Sequence, residues 1–238
     1  MGYIKELKKN MLKFIAGGIR FGAKVIDKVG RIIYTDTPSK RVKIWYADPK
    51  NRFYKTDFDI NSGAVVFDLG GFEGQWASDI YSRFNCEINV FEPVPQYADE
   101  IKERFKQNAK IKVYPFGLFN KNMKTAIAIQ GEGSSTLNKR DDSSKTEIEL
   151  VRFIDFVKDN SINAIDLMKI NIEGAEYDLL DDIIDNGYLP NIDNLIIQFH
   201  DFFPDSKERM ERIHQKLKQT HERTFFHEFV WEGWKRKR

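Results

Sequence analysis

Val65-Val66-Phe67-Asp68-Leu69-Gly70-Gly71-Phe72-Glu73-Gly74 is a short β-branched and aromatic run that ends in an acid and a glycine-rich turn. An unbroken apolar run of this kind reads as a strand buried on both faces, the type that parallel sheets use. Residues 75–84 read as the helix that follows, so the stretch is a strand–turn–helix unit. The alternation continues downstream: strand 88–91, helix 96–107, strand 111–114, strand 164–170, helix 176–186 closed by Gly187, and strand 194–199. A polar helix over 206–219 precedes an aromatic end, 224–234, that reads as a final antiparallel pair. The pattern predicts an α/β fold: a mainly parallel sheet with helices on both faces. Between the third and fourth strands, 125–129 alternates, a polar loop runs from Gly131 to Lys145, and 148–157 leads on. This predicts an inserted hairpin whose tip, with Ser134 and Ser135, is a candidate lid.

Ligands of open α/β sheets bind at the carboxyl ends of the strands, first of all at the turn after the first strand. A dinucleotide fingerprint needs G-x-G-x-x-G, with the second glycine against a pyrophosphate. Counted from Gly70, Phe72 fills that second slot and Gln75 the third, so the turn fits NAD poorly. Asp68 and Glu73 would repel phosphates and favour a cation. S-adenosyl-L-methionine, with a sulfonium, an ammonium and no phosphate, satisfies both conditions. Glu92 closes the second strand, where a carboxylate can accept hydrogen bonds from both ribose hydroxyls, and Pro93 fixes the turn beside it. The candidate cofactor-binding set is Asp68, Gly70, Gly71, Gly74, Glu92 and Pro93.

Methyl transfer to oxygen is an in-line displacement that needs an aligned nucleophile and a base for its proton. Strand ends facing the cofactor supply the candidates. His200 follows the apolar strand 194–199 and is the preferred base, because imidazole titrates near neutrality. Glu173 could orient His200, bind a hydroxyl, act as base, or cap the helix that begins near Gly174. Asn171 completes the catalytic set, and Lys169, inside the strand pattern, calls for a salt bridge to a buried acid. No metal is expected, since Glu173, His200 and Asp201 match no ligand spacing.

With 65–74, then Val90-Phe91-Glu92-Pro93-Val94-Pro95, then Leu167-Met168-Lys169-Ile170-Asn171-Ile172-Glu173-Gly174-Ala175-Glu176, the chain resembles the FkbM-type methyltransferases over residues 56–238. The resemblance implies a class I methyltransferase (Rossmann-like) fold with seven strands in the order 3-2-1-4-5-7-6. It also implies O-methylation of hydroxyls on sugars or natural products, with Asp68, Gly70 and Glu92 contacting the cofactor. Two positions depart from the family: Gly71-Phe72-Glu73 stands where G-A-N is common, and Asn171 stands where Asp is usual. Asn keeps the hydrogen-bonding shape and drops the charge.

The net charge of +2 hides an asymmetry: residues 1–50 hold twelve Lys or Arg against four acids, which leaves the remainder at −6. Met11, Ile15, Ile19, Ile26, Val29 and Ile33 share one helical face, so residues 1–55 form a basic amphipathic helical segment before a catalytic domain at 56–238. That face has two homes, either packing against the domain or a second subunit, or lying on an anionic membrane surface through residues 1–34. Cys86 is the only cysteine, so an intrachain disulfide and multi-thiolate zinc sites are excluded. With no signal peptide and no span-length apolar run, the expected location is the cytoplasm, with contact at the inner face of the membrane. The expected acceptor is a saccharide or other hydroxyl-bearing molecule in polysaccharide biosynthesis. The rivals are a nucleic-acid methyltransferase, opposed by the net acidic domain and the lack of an N-P-P-Y tetrapeptide, and a non-catalytic cofactor-binding relative.

Overall fold

The computed structural model describes residues 37–128 and 145–238. Packing divides the chain into residues 1–47 and 48–238. In the smaller unit the described part is helix α1 (Thr37–Ala47), which buries Trp45 and leaves Ile44 and Tyr46 exposed. The apolar face over Met11 to Ile33 and the hairpin tip with Ser134 and Ser135 lie outside the described residues. No described helix is long and apolar enough to cross a membrane.

In the larger unit, α2 (Asn51–Tyr54) leads to β1 (Val65–Leu69), α3 (Gln75–Phe84), β2 (Glu87–Phe91), α4 (Pro95–Phe105) and β3 (Ile111–Tyr114). Next come β4 (Gly117–Phe119), β5 (Met123–Ala128), β6 (Lys145–Arg152) and α5 (Phe153–Asp159). The last elements are β7 (Leu167–Ile170), α6 (Glu176–Asp185), β8 (Asn194–Ile197), α7 (Ser206–Thr220), β9 (His221–His227) and β10 (Trp231–Arg236). The main sheet has seven strands in the order β3-β2-β1-β7-β8-β10-β9, parallel except for β10, which runs antiparallel to β8 and β9. Renumbered by their appearance within the sheet, these strands read 3-2-1-4-5-7-6, the order the resemblance implied.

The apolar runs are continuous because both sheet faces are covered. Phe67, Leu69, Met168, Ile170, Leu195 and Ile197 point to one core, shared with α5, α6 and α7. Val66, Ile88, Val90 and Leu167 point to the other, against Ala77 and Ile80 of α3 and Ile101 of α4. A large apolar side chain taken fully out of water contributes roughly 1.5–3 kcal/mol, so the central strands fix the sheet.

Two expectations change. Residues 148–157 are not one segment, because β6 ends at Arg152 and α5 starts at Phe153. Phe153, Ile154, Phe156 and Val157 are all buried at helical spacing, a period that runs together with the strand when only apolarity is read. The three-residue β4 is also new. It joins β6 and β5 in a three-stranded side sheet, and a Cβ at Gly117 would lie 2.8 Å from Leu150 Cδ2.

Candidate active site

The turn after β1 is set by what packs on it. Gly70 has φ 82°, and a Cβ there would lie 2.0 Å from the backbone oxygen of Asn171, so the ends of β1 and β7 touch only because the side chain is missing. Gly71 lies against Val90 and Ile101, and Gly74, which begins α3, lies against Phe105. Phe72 adopts φ 49°, rare without glycine, with its ring edge-on to Tyr97 at 4.9 Å. The Cβ directions of these glycines are thus filled by protein, so packing itself requires glycine at all three.

Asp68 is fully buried and its Oδ1 receives Lys169 Nζ at 2.7 Å, while the same ammonium donates to the Gly70 carbonyl at 2.8 Å. Its charge is therefore met by the salt bridge anticipated for Lys169 and is not a bare field for a cationic ligand. Burial raises the Asp68 carboxyl, and Lys169 opposes the rise. Glu92 is 5% exposed; its Oε2 accepts the Phe72 N–H at 2.8 Å and its Oε1 the Val94 N–H at 2.9 Å. Burial raises its pKa despite these donors. Pro93, between the two, backs onto Gly117. Glu73 is exposed.

The turn after β7 carries the second group of candidates. Glu173 sits at φ 55° and Gly174 at φ 99°, a tight reversal beside the β1 turn. His200, past the end of β8, places Nε2 3.5 Å from Glu173 Oε2 and Nδ1 2.9 Å from Glu176 Oε1. Glu173 and His200 are therefore brought together, and Asn171 lies two residues from Glu173 in the same turn. Burial pushes Glu173 up to about 7, with His200 opposing and Glu176 adding to the rise. Burial disfavours a charged His200, yet Glu176, Glu173 and Asp201 together raise it above an ordinary histidine.

Residues 63–226 match the family described as the methyltransferase FkbM domain. The chain belongs to the FkbM methyltransferase family. Members of this family take their methyl group from S-adenosyl-L-methionine, and the fold is that of the class I methyltransferases. No curated protein matches the chain. A solved FkbM methyltransferase from Methylobacillus flagellatus KT is 12% identical with a TM-score of 0.52, covering 76% of this chain. The chain spans 45% of that protein's length. An rRNA methylase from Streptococcus thermophilus is 8% identical over 75% of this chain and 90% of its own, with a TM-score of 0.46. A Streptococcus mutans protein described as a methyltransferase and solved with SAH is 8% identical over 75% and 91%, with a TM-score of 0.47. At these identities the likenesses concern the fold alone.

For an FkbM-family site, the acceptors left over at the two turns are the test of cofactor fit. Asp68 Oδ2 and Asn171 Oδ1 are buried and meet no donor among the described residues. Buried acceptors without donors are costly and rare. They suit a ligand that brings N–H donors, as the ammonium of a methionine moiety does. Lys55, which belongs to none of the sequence motifs, stands close enough to Lys169 to feel its charge. Its Nζ is 5.0 Å from the centre of the Trp231 ring, and its carbonyl accepts Trp76 Nε1–H at 2.7 Å. Burial and then the neighbouring Lys169 lower its pKa, with Asp79 opposing. Glu176, the last residue of the third motif, is a further part of the site. It is fully buried, and its carboxylate accepts the N–H groups of Ile172 at 3.0 Å and Gly174 at 3.0 and 3.2 Å. The helix start has no side-chain cap, so the capping role considered for Glu173 is not seen; Glu176 instead ties the preceding turn to the first residue of α6. Among the described residues, no group of three His, Cys, Asp or Glu is placed to hold a metal ion.

Proposed function

We propose that the chain is an O-methyltransferase that methylates a hydroxyl of a sugar or glycan, with His200 as general base. The observation that carries this reading is a buried histidine at the carboxyl edge of the sheet, flanked by two carboxylates, beside the turn that bears the leftover acceptors. Bound S-adenosyl-L-methionine supplies a methyl carbon activated by its sulfonium. Asp68 and Asn171 would take its ammonium, Lys55 its carboxylate and Glu92 its ribose hydroxyls, with Gly70, Gly71, Gly74 and Pro93 shaping the walls. As the acceptor oxygen takes the methyl group, its proton would pass to His200 Nε2, and Glu173 would then face the imidazolium. Asn171 supplies a neutral hydrogen-bonding group where an Asp would add charge. The sugar acceptor follows the family resemblance, and the basic residues 1–34 fit a lipid-linked acceptor at an anionic membrane.

The test pairs calorimetry with transfer assays. The chain should bind S-adenosylhomocysteine and move label from S-adenosyl-L-methionine to members of a glycan panel and not to RNA. Full activity in both His200→Ala and Glu173→Gln would reject the assignment of the base.

A further inference from the structure

A fully buried carboxylate is tolerated only when its oxygens are met by donors. Those that meet Glu176 come from the two segments bearing the proposed chemistry: the backbone N–H groups of Ile172 and Gly174 in the turn after β7, and Nδ1 of His200 past β8. A carboxylate only accepts, so the ring nitrogen facing it carries the proton, and Nε2 is left as the basic nitrogen, turned toward Glu173. A second contact fixes the same residue from its backbone: Tyr177 Oη, one position after Glu176, donates to the His200 carbonyl at 2.7 Å.

We infer that Glu176 is the positioning residue of the site, holding His200 in its Nδ1–H tautomer so that Nε2 faces the acceptor hydroxyl, while it pins the turn that carries Asn171 and Glu173. This inference rests on the reading of His200 as the base. The charged and titratable groups around the ring are Glu176 from α6, Glu173 from the preceding turn and Asp201 on its own segment. The Phe202 ring lies 4.8 Å away, and Arg209 of α7 stands over the ring of Tyr177.

Nitrogen-15 NMR of the histidine rings tests this on the full chain saturated with S-adenosylhomocysteine, and it needs no knowledge of the acceptor. There are four histidines, and His200→Ala identifies the signal. The wild-type ring, once neutral, should be protonated on Nδ1 and bare on Nε2. In Glu176→Gln the amide oxygen, held at the Oε1 site by the N–H groups of Ile172 and Gly174, can still accept from Nδ1, so the tautomer should be kept. The ring's titration should fall with the loss of the carboxylate charge. Transfer in Glu176→Gln should slow about tenfold, and the substitution should add nothing to that loss in a His200→Ala background. A wild-type ring protonated on Nε2, or an unmoved titration in Glu176→Gln, would overturn the inference. If Glu176→Gln does not fold, the wild-type spectrum still decides. Full transfer activity in His200→Ala would instead defeat the base reading, whatever the tautomer.

Discussion

Glu173 is held in two unfavourable states at once: a left-handed backbone at φ 55° and a buried carboxyl pushed up to about 7. Such strain persists where surrounding structure enforces it, and it clusters at working sites. The folded pKa lies above the ordinary 4.5, so the folded chain holds this proton more tightly than the unfolded one. Its contribution to stability is complete below that ordinary value and is lost as pH rises to about 7. Glu173→Gln carries no such loss. Denaturant unfolding should show the variant gaining on the wild type by about 2 kcal/mol between acid and neutral pH, and a constant difference would contradict this. At Gly70 the direction reverses. Gly70→Ala puts a Cβ into the Asn171 carbonyl at a positive φ, so a loss of at least about 2 kcal/mol is expected in the same measurement. Lys169's need for a buried acid was legible from one charged residue in an apolar strand, and Asp68 is that acid. That Glu176 would collect the N–H groups of Ile172 and Gly174 was not legible, because both acids fall near the helix start and only the reversal at Glu173 and Gly174 decides which turns inward.

Helix α7 is locked to the end of the sheet by a buried network. Glu232 on β10 accepts from His214 at 2.9 Å and from Trp234 Nε1–H at 2.6 Å, and His214 and Glu232 are 5% and 2% exposed. Glu232→Ala leaves both partners buried without an acceptor, so a loss of about 3 kcal/mol or more is expected in urea unfolding. On the opposite side of α7, a half-exposed Arg212 pairs with Asp181 of α6, which Lys216 also meets, and Arg212→Ala should cost less than about 1 kcal/mol. Equal losses from the two substitutions would contradict this ranking. The elements themselves were readable wherever period and punctuation agreed, as in β1 with α3 and in α6 closed by Gly187. They were unreadable where a strand passes straight into a helix, at Arg152, or where a strand is as short as β4. The network was also out of reach, since residues 214 and 232 meet only through the order of the sheet.

For the whole molecule, the strand order came from the resemblance, since alternation alone predicts a parallel sheet without saying which strands neighbour which. Cofactor binding then links to global stability. At a hundredfold excess over its Kd, S-adenosylhomocysteine should stabilise the chain by about 2.7 kcal/mol, a rise in Tm of roughly 5–10 °C by scanning calorimetry. Lys55→Met should weaken S-adenosylhomocysteine at least about tenfold and leave methylthioadenosine, which lacks the carboxylate, unaffected. Equal losses for both would remove Lys55 from the proposed site. Deleting residues 1–34 should abolish sedimentation with anionic vesicles, and undiminished sedimentation would end the membrane proposal.

One feature of the topology bears on how the chain is made. β10 lies between β8 and β9, yet β9 comes first in the chain. As the polypeptide leaves the ribosome, β9 emerges with no edge to join, because β8 is reserved for a strand not yet translated. The sheet can therefore be assembled from the start of the domain only as far as β8. Its last two strands must enter together as a hairpin, so until then the nascent protein carries an open edge at β8, the interval in which wrong pairing is most costly.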